Sequence, residues 1–157
     1  MKPSPRNFLL IICFLAIAPA WGAEPLAGRW LLTRQEVGGQ KTDPDPLTLR
    51  ITPSGNGFDF AYSVPVNDVQ FVSMSFTSRL DGTEADVKDS RGNKMGSIKI
   101  TRAGASQYSV VLQGANRPTA SGKMTVSADG KTLSVETDAQ APGQAAAVHT
   151  IQVFARQ

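Results

Sequence analysis

Apolar and polar residues alternate along this chain with a period of two, and the three-to-four spacing of an amphipathic helix is nowhere sustained. Leu47, Leu49 and Ile51 alternate with Thr48, Arg50 and Thr52. Phe58, Phe60, Tyr62 and Val64 share one face against Asp59, Ala61 and Ser63, and Val72, Met74 and Phe76 continue the pattern through a Ser-rich run to Arg79-Leu80. Ile98 and Ile100 lie on one face of Met95 to Arg102, and Tyr108, Val110 and Leu112 follow in the same sense. Such a period puts every second side chain on one face of a sheet.

Turn residues cut these runs at regular intervals. Gly38-Gly39 ends the first, Pro53-Ser54-Gly55-Asn56-Gly57 the second, and Pro65-Val66-Asn67-Asp68, Asp81-Gly82, Ser90-Arg91-Gly92-Asn93, Ala103-Gly104-Ala105-Ser106, Gly114-Ala115-Asn116 and Ala139 to Gln144 divide the rest. The sharpest signal is the hairpin Met124 to Val135, two alternating runs around Asp129-Gly130. Together these give eight to ten short strands and an all-β fold, an antiparallel up-and-down barrel. Closure into a barrel removes the unpaired edges that so many apolar strands would otherwise expose. In the last run, Val148 to Phe154, apolar alternation puts His149, Ile151 and Val153 inward, with His149 the one titratable group inside.

The first 22 residues read as a secretory signal peptide: Lys2 and Arg6 form a basic start, Phe8 to Ala18 an apolar run, and Ala18 to Ala23 supplies small residues for cleavage near Ala20 to Ala23. The run is too short for a membrane span, and no later stretch is long enough. Residues 23–157 then form a single domain, exported to the periplasm or beyond. Cys13, the sole cysteine, lies in the leader without the small residues of a lipoprotein site, so the mature chain carries no disulfide. Cleavage also removes Lys2 and Arg6, leaving 14 of the 16 basic residues against 13 acidic ones. A nearly neutral domain without a Lys/Arg run is a poor partner for nucleic acid or an anionic membrane.

Composition also excludes most catalytic chemistry. His149 has no thiol to activate and no G-x-S-x-G elbow ahead of it. One His and no mature Cys do not make a zinc site. Glu84, Asp86 and Asp89 lack the ordered series of a calcium loop and read as a solvated edge strand. Glu36, Asp59, Asp68 and Glu136 fall on polar faces, so no glycosidase-like pair can be argued from them. Gly55-Asn56-Gly57 is a turn rather than a dinucleotide loop. No cofactor and no enzymatic activity are expected.

The first run of the mature chain is Gly28-Arg29-Trp30-Leu31-Leu32-Thr33-Arg34, and the chain closes on Val153-Phe154-Ala155-Arg156-Gln157. The Gly-x-Trp opening, the Val-Ser-Ala-Asp-Gly-Lys-Thr-Leu hairpin from Val126 to Leu133 and the terminal Arg-Gln resemble exported bacterial proteins with a lipocalin-like, calycin-type domain. The resemblance spans about Gly28 to Gln157. It implies structural closure by Gly28, Trp30 and Arg156, with the Arg packed on the Trp ring at the closed end of the barrel. It also implies a loop from Gln40 to Pro46 lying over the open end, and a small hydrophobic molecule held inside. The large rings assigned inward, Phe58, Phe60, Tyr62, Phe76 and Tyr108, are the candidate ligand contacts, and Ala120 and Gly122 hint at unfilled space. If those rings fill the barrel instead, the loops and a protein partner become the alternative.

Overall fold

The structure, a computed structural model, describes residues 24–114, 119–140 and 146–157. The leader with Cys13, most of the turn at Gly114-Ala115-Asn116 and most of the Ala139 to Gln144 loop lie outside the described residues. Ten strands form the wall: β1 (Gly28–Val37), β3 (Thr48–Ser54), β4 (Gly57–Val66), β5 (Val69–Ser78), β6 (Asp81–Asp89), β7 (Lys94–Arg102), β8 (Gln107–Gly114), β9 (Thr119–Val126), β10 (Thr132–Gln140) and β11 (Val148–Arg156). Each pairs antiparallel with its neighbour in sequence, and β11 returns to pair with β1, which closes the barrel. Among the described residues there is no helix. The all-β, up-and-down barrel expected from the alternation is the fold observed.

The Gln40 to Pro46 segment departs from a plain loop. Gln40–Thr42 is a short strand, β2, that folds back on the end of β1 through Val37↔Gln40 and Gln35↔Thr42. Gly38 and Gly39, at φ +59° and +80°, supply the two left-handed residues that such a tight hairpin requires. The β4–β5 turn uses Asn67 and Asp68 in the same way, at φ +48° and +63°, so Pro65 and Val66 remain in the strand.

A bulge corrects the face assigned to Val72. Tyr62 pairs with Met74, but Ser63 pairs with Val72, so Ser73 is the extra residue and the alternation shifts by one. Met74 and Phe76 stay inward, whereas Val72 turns out and is 39% exposed. Beyond the bulge this hairpin carries further apolar residues into solvent, Val66, Val69 and Phe71 among them.

The face assigned to the last strand is also corrected. Leu133 pairs with Phe154, Val135 with Gln152 and Thr137 with Thr150, so Phe154, Gln152 and Thr150 point inward. His149, Ile151 and Val153 point out, and the His149 ring nitrogen lies 2.8 Å from the Asp138 carboxylate on the outer surface. Phe154, fully buried, decides the face because its ring is the largest apolar group on the strand.

Three glycines let the wall coil. A Cβ at Gly57, Gly96 or Gly122 would lie 2.6, 2.2 or 1.9 Å from a main-chain oxygen of the neighbouring strand (Ser78, Gln113 and Glu136 respectively). The wall is least continuous between β5 and β6, which pair only at Met74↔Asp89 and Ser75↔Lys88. Below these pairs lies an outer cleft of about 670 Å³, floored by Phe60 and Phe76 and edged by polar side chains including Arg79, Glu84 and Lys88.

Candidate functional site

One end of the barrel is sealed by the segment before β1. Trp30 Nε1 donates to the Leu26 carbonyl at 3.0 Å, and Leu26 is itself fully buried. The Arg156 guanidinium lies 4.1 Å from the centroid of the Trp30 ring. It also donates to three carbonyls: Ala27 at 2.7 Å, Pro25 at 2.5 Å and Gly130 at 2.5 Å. The Gly130 carbonyl is presented by the Asp-Gly turn, in which the Asp129 carboxylate accepts from Ser127 Oγ and the Lys131 amide. Gly28 is needed twice over: its φ is +149°, and a Cβ there would lie 2.5 Å from Arg156 Nη1. Gly28, Trp30 and Arg156 therefore meet at this end in the arrangement anticipated for structural closure.

Tyr108 belongs to the same seal. Its hydroxyl donates to the Glu24 carboxylate, which also accepts from Arg102, and the Arg102 guanidinium lies 5.3 Å from the Tyr108 ring centroid. Burial, followed by the bond to anionic Glu24, pushes the Tyr108 hydroxyl well above its ordinary pKa. Phe60 is fully buried and stacks on Phe76 with centroids 4.6 Å apart and ring planes 13° from parallel. Phe58, half-buried, sits opposite Pro53 and Ser78 near the same end. These rings fill the closed half.

The open half is different. A cavity of about 440 Å³ lies inside the barrel, lined by Leu47, Tyr62, Met74, Phe76, Val87, Met95, Ile98, Leu112, Ala120, Met124 and Val135, with Ser73, Thr137 and Gln152 as polar members. A space of about 180 Å³ adjoins it, sharing Met74, Val87, Met95, Leu112 and Ala120 and bordered by Gly96, Gly114 and Ala139. Of the five rings anticipated as ligand contacts, Tyr62 and Phe76 line the cavity; Phe58, Phe60 and Tyr108 do not. Ala120 lines it as its size suggested, whereas Gly122 serves the bend in the wall.

Gln152 and Thr137 were missed by sequence reasoning, the first because the inward face of β11 was assigned to His149. The Asp-Gly hairpin held the signal for Thr137, which falls on the alternation Leu133, Val135, Thr137. Ser73 Oγ donates to the Tyr62 carbonyl at 3.2 Å. The Tyr62 hydroxyl, the Thr137 hydroxyl and the Gln152 amide have no hydrogen-bond partner among the described residues. Desolvation alone pushes the Tyr62 pKa up to about 12, so this group is a neutral donor at physiological pH. No Lys, Arg, His, Asp or Glu among the described residues lines the cavity, and no three His, Cys, Asp or Glu side chains among them converge anywhere. The cavity can shelter apolar surface and offer neutral hydrogen bonds. No known family model matches the chain, and no curated protein compared with it is significantly similar.

Proposed function

We propose that this chain is an exported, lipocalin-like barrel that binds a small apolar molecule in its open half and catalyses no reaction on it. The observation that carries the reading is the division of the interior. Rings pack the closed half, while an apolar space of about 440 Å³ remains in the other. That volume falls in the range of small-molecule sites, about 300–1,000 Å³. With few polar groups to add specificity, the expected affinity is micromolar. The nearly balanced charge of the domain argues against nucleic acid as a partner.

The test is titration with the neutral fluorescent dye N-phenylnaphthylamine, comparing the parent with Ala120→Phe. The new ring occupies cavity space without removing any contact of the closed end. Saturable micromolar binding that weakens about tenfold or more in the variant, at an unchanged denaturation midpoint, is expected. A parent that binds no dye, or a variant that binds it equally well, refutes the reading.

One observation favours a second reading, in which the barrel acts on a protein partner. Val69 and Phe71, 67% and 50% exposed, form an apolar tip on the β4–β5 hairpin. A partner that co-purifies with the parent and is lost from Phe71→Asp, in a protein that takes up no dye, would put that reading first.

A further inference from the structure

Among the described residues, Tyr62, Thr137 and Gln152 bring neutral polar groups without a protein partner to a largely apolar cavity, Ser73 being the other polar member, and no charged side chain lines it. We infer that the ligand is an uncharged amphiphile, an apolar chain or ring system bearing one hydroxyl, carbonyl or amide group, and that the cavity discriminates against carboxylates. The inference rests on the binding reading above and adds the chemical class of what is bound.

The first leg is the set of polar groups without a partner among the described residues. Tyr62 on β4 and Thr137 and Gln152 on β10 and β11 approach the cavity from different parts of the wall. Tyr62 offers an O–H donor and an oxygen acceptor, Thr137 the same, and Gln152 both a carbonyl and an amide N–H. Polar groups that line an apolar site are normally satisfied by protein, water or ligand. A ligand that brought only hydrocarbon would displace water from them without replacing its hydrogen bonds, a loss that a hydroxyl or carbonyl avoids.

The second leg is the missing counter-charge. An ionised carboxylate brought into this space leaves water and meets no Lys, Arg or His among the described residues. Burying an unpaired charge is far less favourable than burying a hydrogen-bonded neutral group. Tyr62 cannot supply compensation beyond one hydrogen bond, because its hydroxyl remains protonated. Size supplies a third limit. At water's share of about 30 Å³, the cavity has room for about fifteen non-hydrogen atoms, which suits a medium chain or a small ring system.

The experiment displaces bound N-phenylnaphthylamine from the mature protein with decanol and with decanoate, a pair that shares one chain and differs in charge. At about pH 8, decanol is expected to displace the dye at a concentration about tenfold or more below decanoate. The gap should narrow as the pH falls toward about 4.5, where the carboxyl becomes neutral. Tyr62→Phe should weaken decanol severalfold relative to the dye, and Gln152→Leu should act in the same direction. Equal displacement by decanoate at pH 8 overturns the neutral-ligand inference and leaves the cavity reading standing. Decanol affinity unchanged in both variants overturns the role of the polar set. Failure of the parent to bind the dye overturns the binding reading itself.

Discussion

Arg156→Ala tests how the closed end is held. In the parent the guanidinium lies 4.1 Å from the Trp30 ring centroid and donates to the carbonyls of Pro25, Ala27 and Gly130. A cation–ring contact at a half-buried site is worth about 1 kcal/mol. Each charge-assisted hydrogen bond is worth about 1.5–3 kcal/mol when fully buried. Here the vacated carbonyls can be reached by water, so about 0.5–1 kcal/mol apiece is the better figure. The total is about 3 kcal/mol, or about 10 °C in Tm for a domain of this size. Arg156→Lys keeps the charge but cannot reach three carbonyls, and should lose about half as much. Chemical denaturation followed by Trp fluorescence reads both, since Trp30 reports its own surroundings. Gly28→Ala supplies an internal check, because its Cβ would lie 2.5 Å from Arg156 Nη1. Its cost should be smaller in the Arg156→Ala background, where only the backbone strain remains, giving a measurable coupling. An Arg156→Ala midpoint within about 0.5 kcal/mol of the parent would refute the reasoning, since a loss that small falls within the scatter of ordinary surface changes.

Gly122→Ala should destabilise the barrel by more than about 2 kcal/mol in urea titration, because its Cβ would meet a main-chain oxygen at 1.9 Å with no flexible side chain to give way. The two tyrosines, Tyr62 and Tyr108, are both held neutral by burial, so tyrosinate absorbance should show no step near the ordinary pKa of about 10 until the protein unfolds. The sign follows from linkage: with folded pKa values raised, the unfolded chain ionises first, and stability falls as the pH rises above about 10. At the acid end, hydrogen bonds from Asn93 hold Asp89 below its usual range, and those from Ser127 and Lys131 do the same for Asp129. Folded values that are depressed give stability that is complete at neutral pH and is lost as the pH falls below about 4. Asp89→Asn should flatten that loss in denaturation midpoints measured from pH 7 to pH 3.

The fold was legible because period-two alternation and turn chemistry are local signals, and nearly every strand carries both. The closed end was legible through the resemblance alone, which implied closure by Gly28, Trp30 and Arg156; the pairing of β1 with β11 sets Trp30 opposite Arg156. The inward face of β11 was not legible from apolarity, since Ile151 and Val153 on one face compete with Phe154 on the other. Arg156 held the answer. A residue packed on Trp30 shares its face with the residues two and four positions earlier, Phe154 and Gln152, and so excludes His149 from the interior. The bulge at Ser73 left no such trace, because Val72, Met74 and Phe76 alternate perfectly in sequence while an extra residue interrupts their faces. The rings misled in one respect. Size marks a core residue equally well at either end of a barrel, and only the tertiary arrangement shows that Phe58, Phe60 and Tyr108 pack the closed half.

Part of the cavity follows from barrel closure itself. Gly96 is required where β7 approaches β8 too closely for a Cβ, and the same residue borders the smaller space inside. Gln152 adds an independent observation to the division of the interior. An amide facing an apolar cavity without a partner among the described residues contributes less to stability than a leucine of similar size would. Gln152→Leu should accordingly raise the denaturation midpoint of the ligand-free protein, by about 0.5–1 kcal/mol, while weakening decanol. Such opposite movement of stability and binding is the pattern of a residue retained for its site. A midpoint lowered by more than about 1 kcal/mol would mean that the amide supports the barrel, and the polar set would then lose its claim to a ligand.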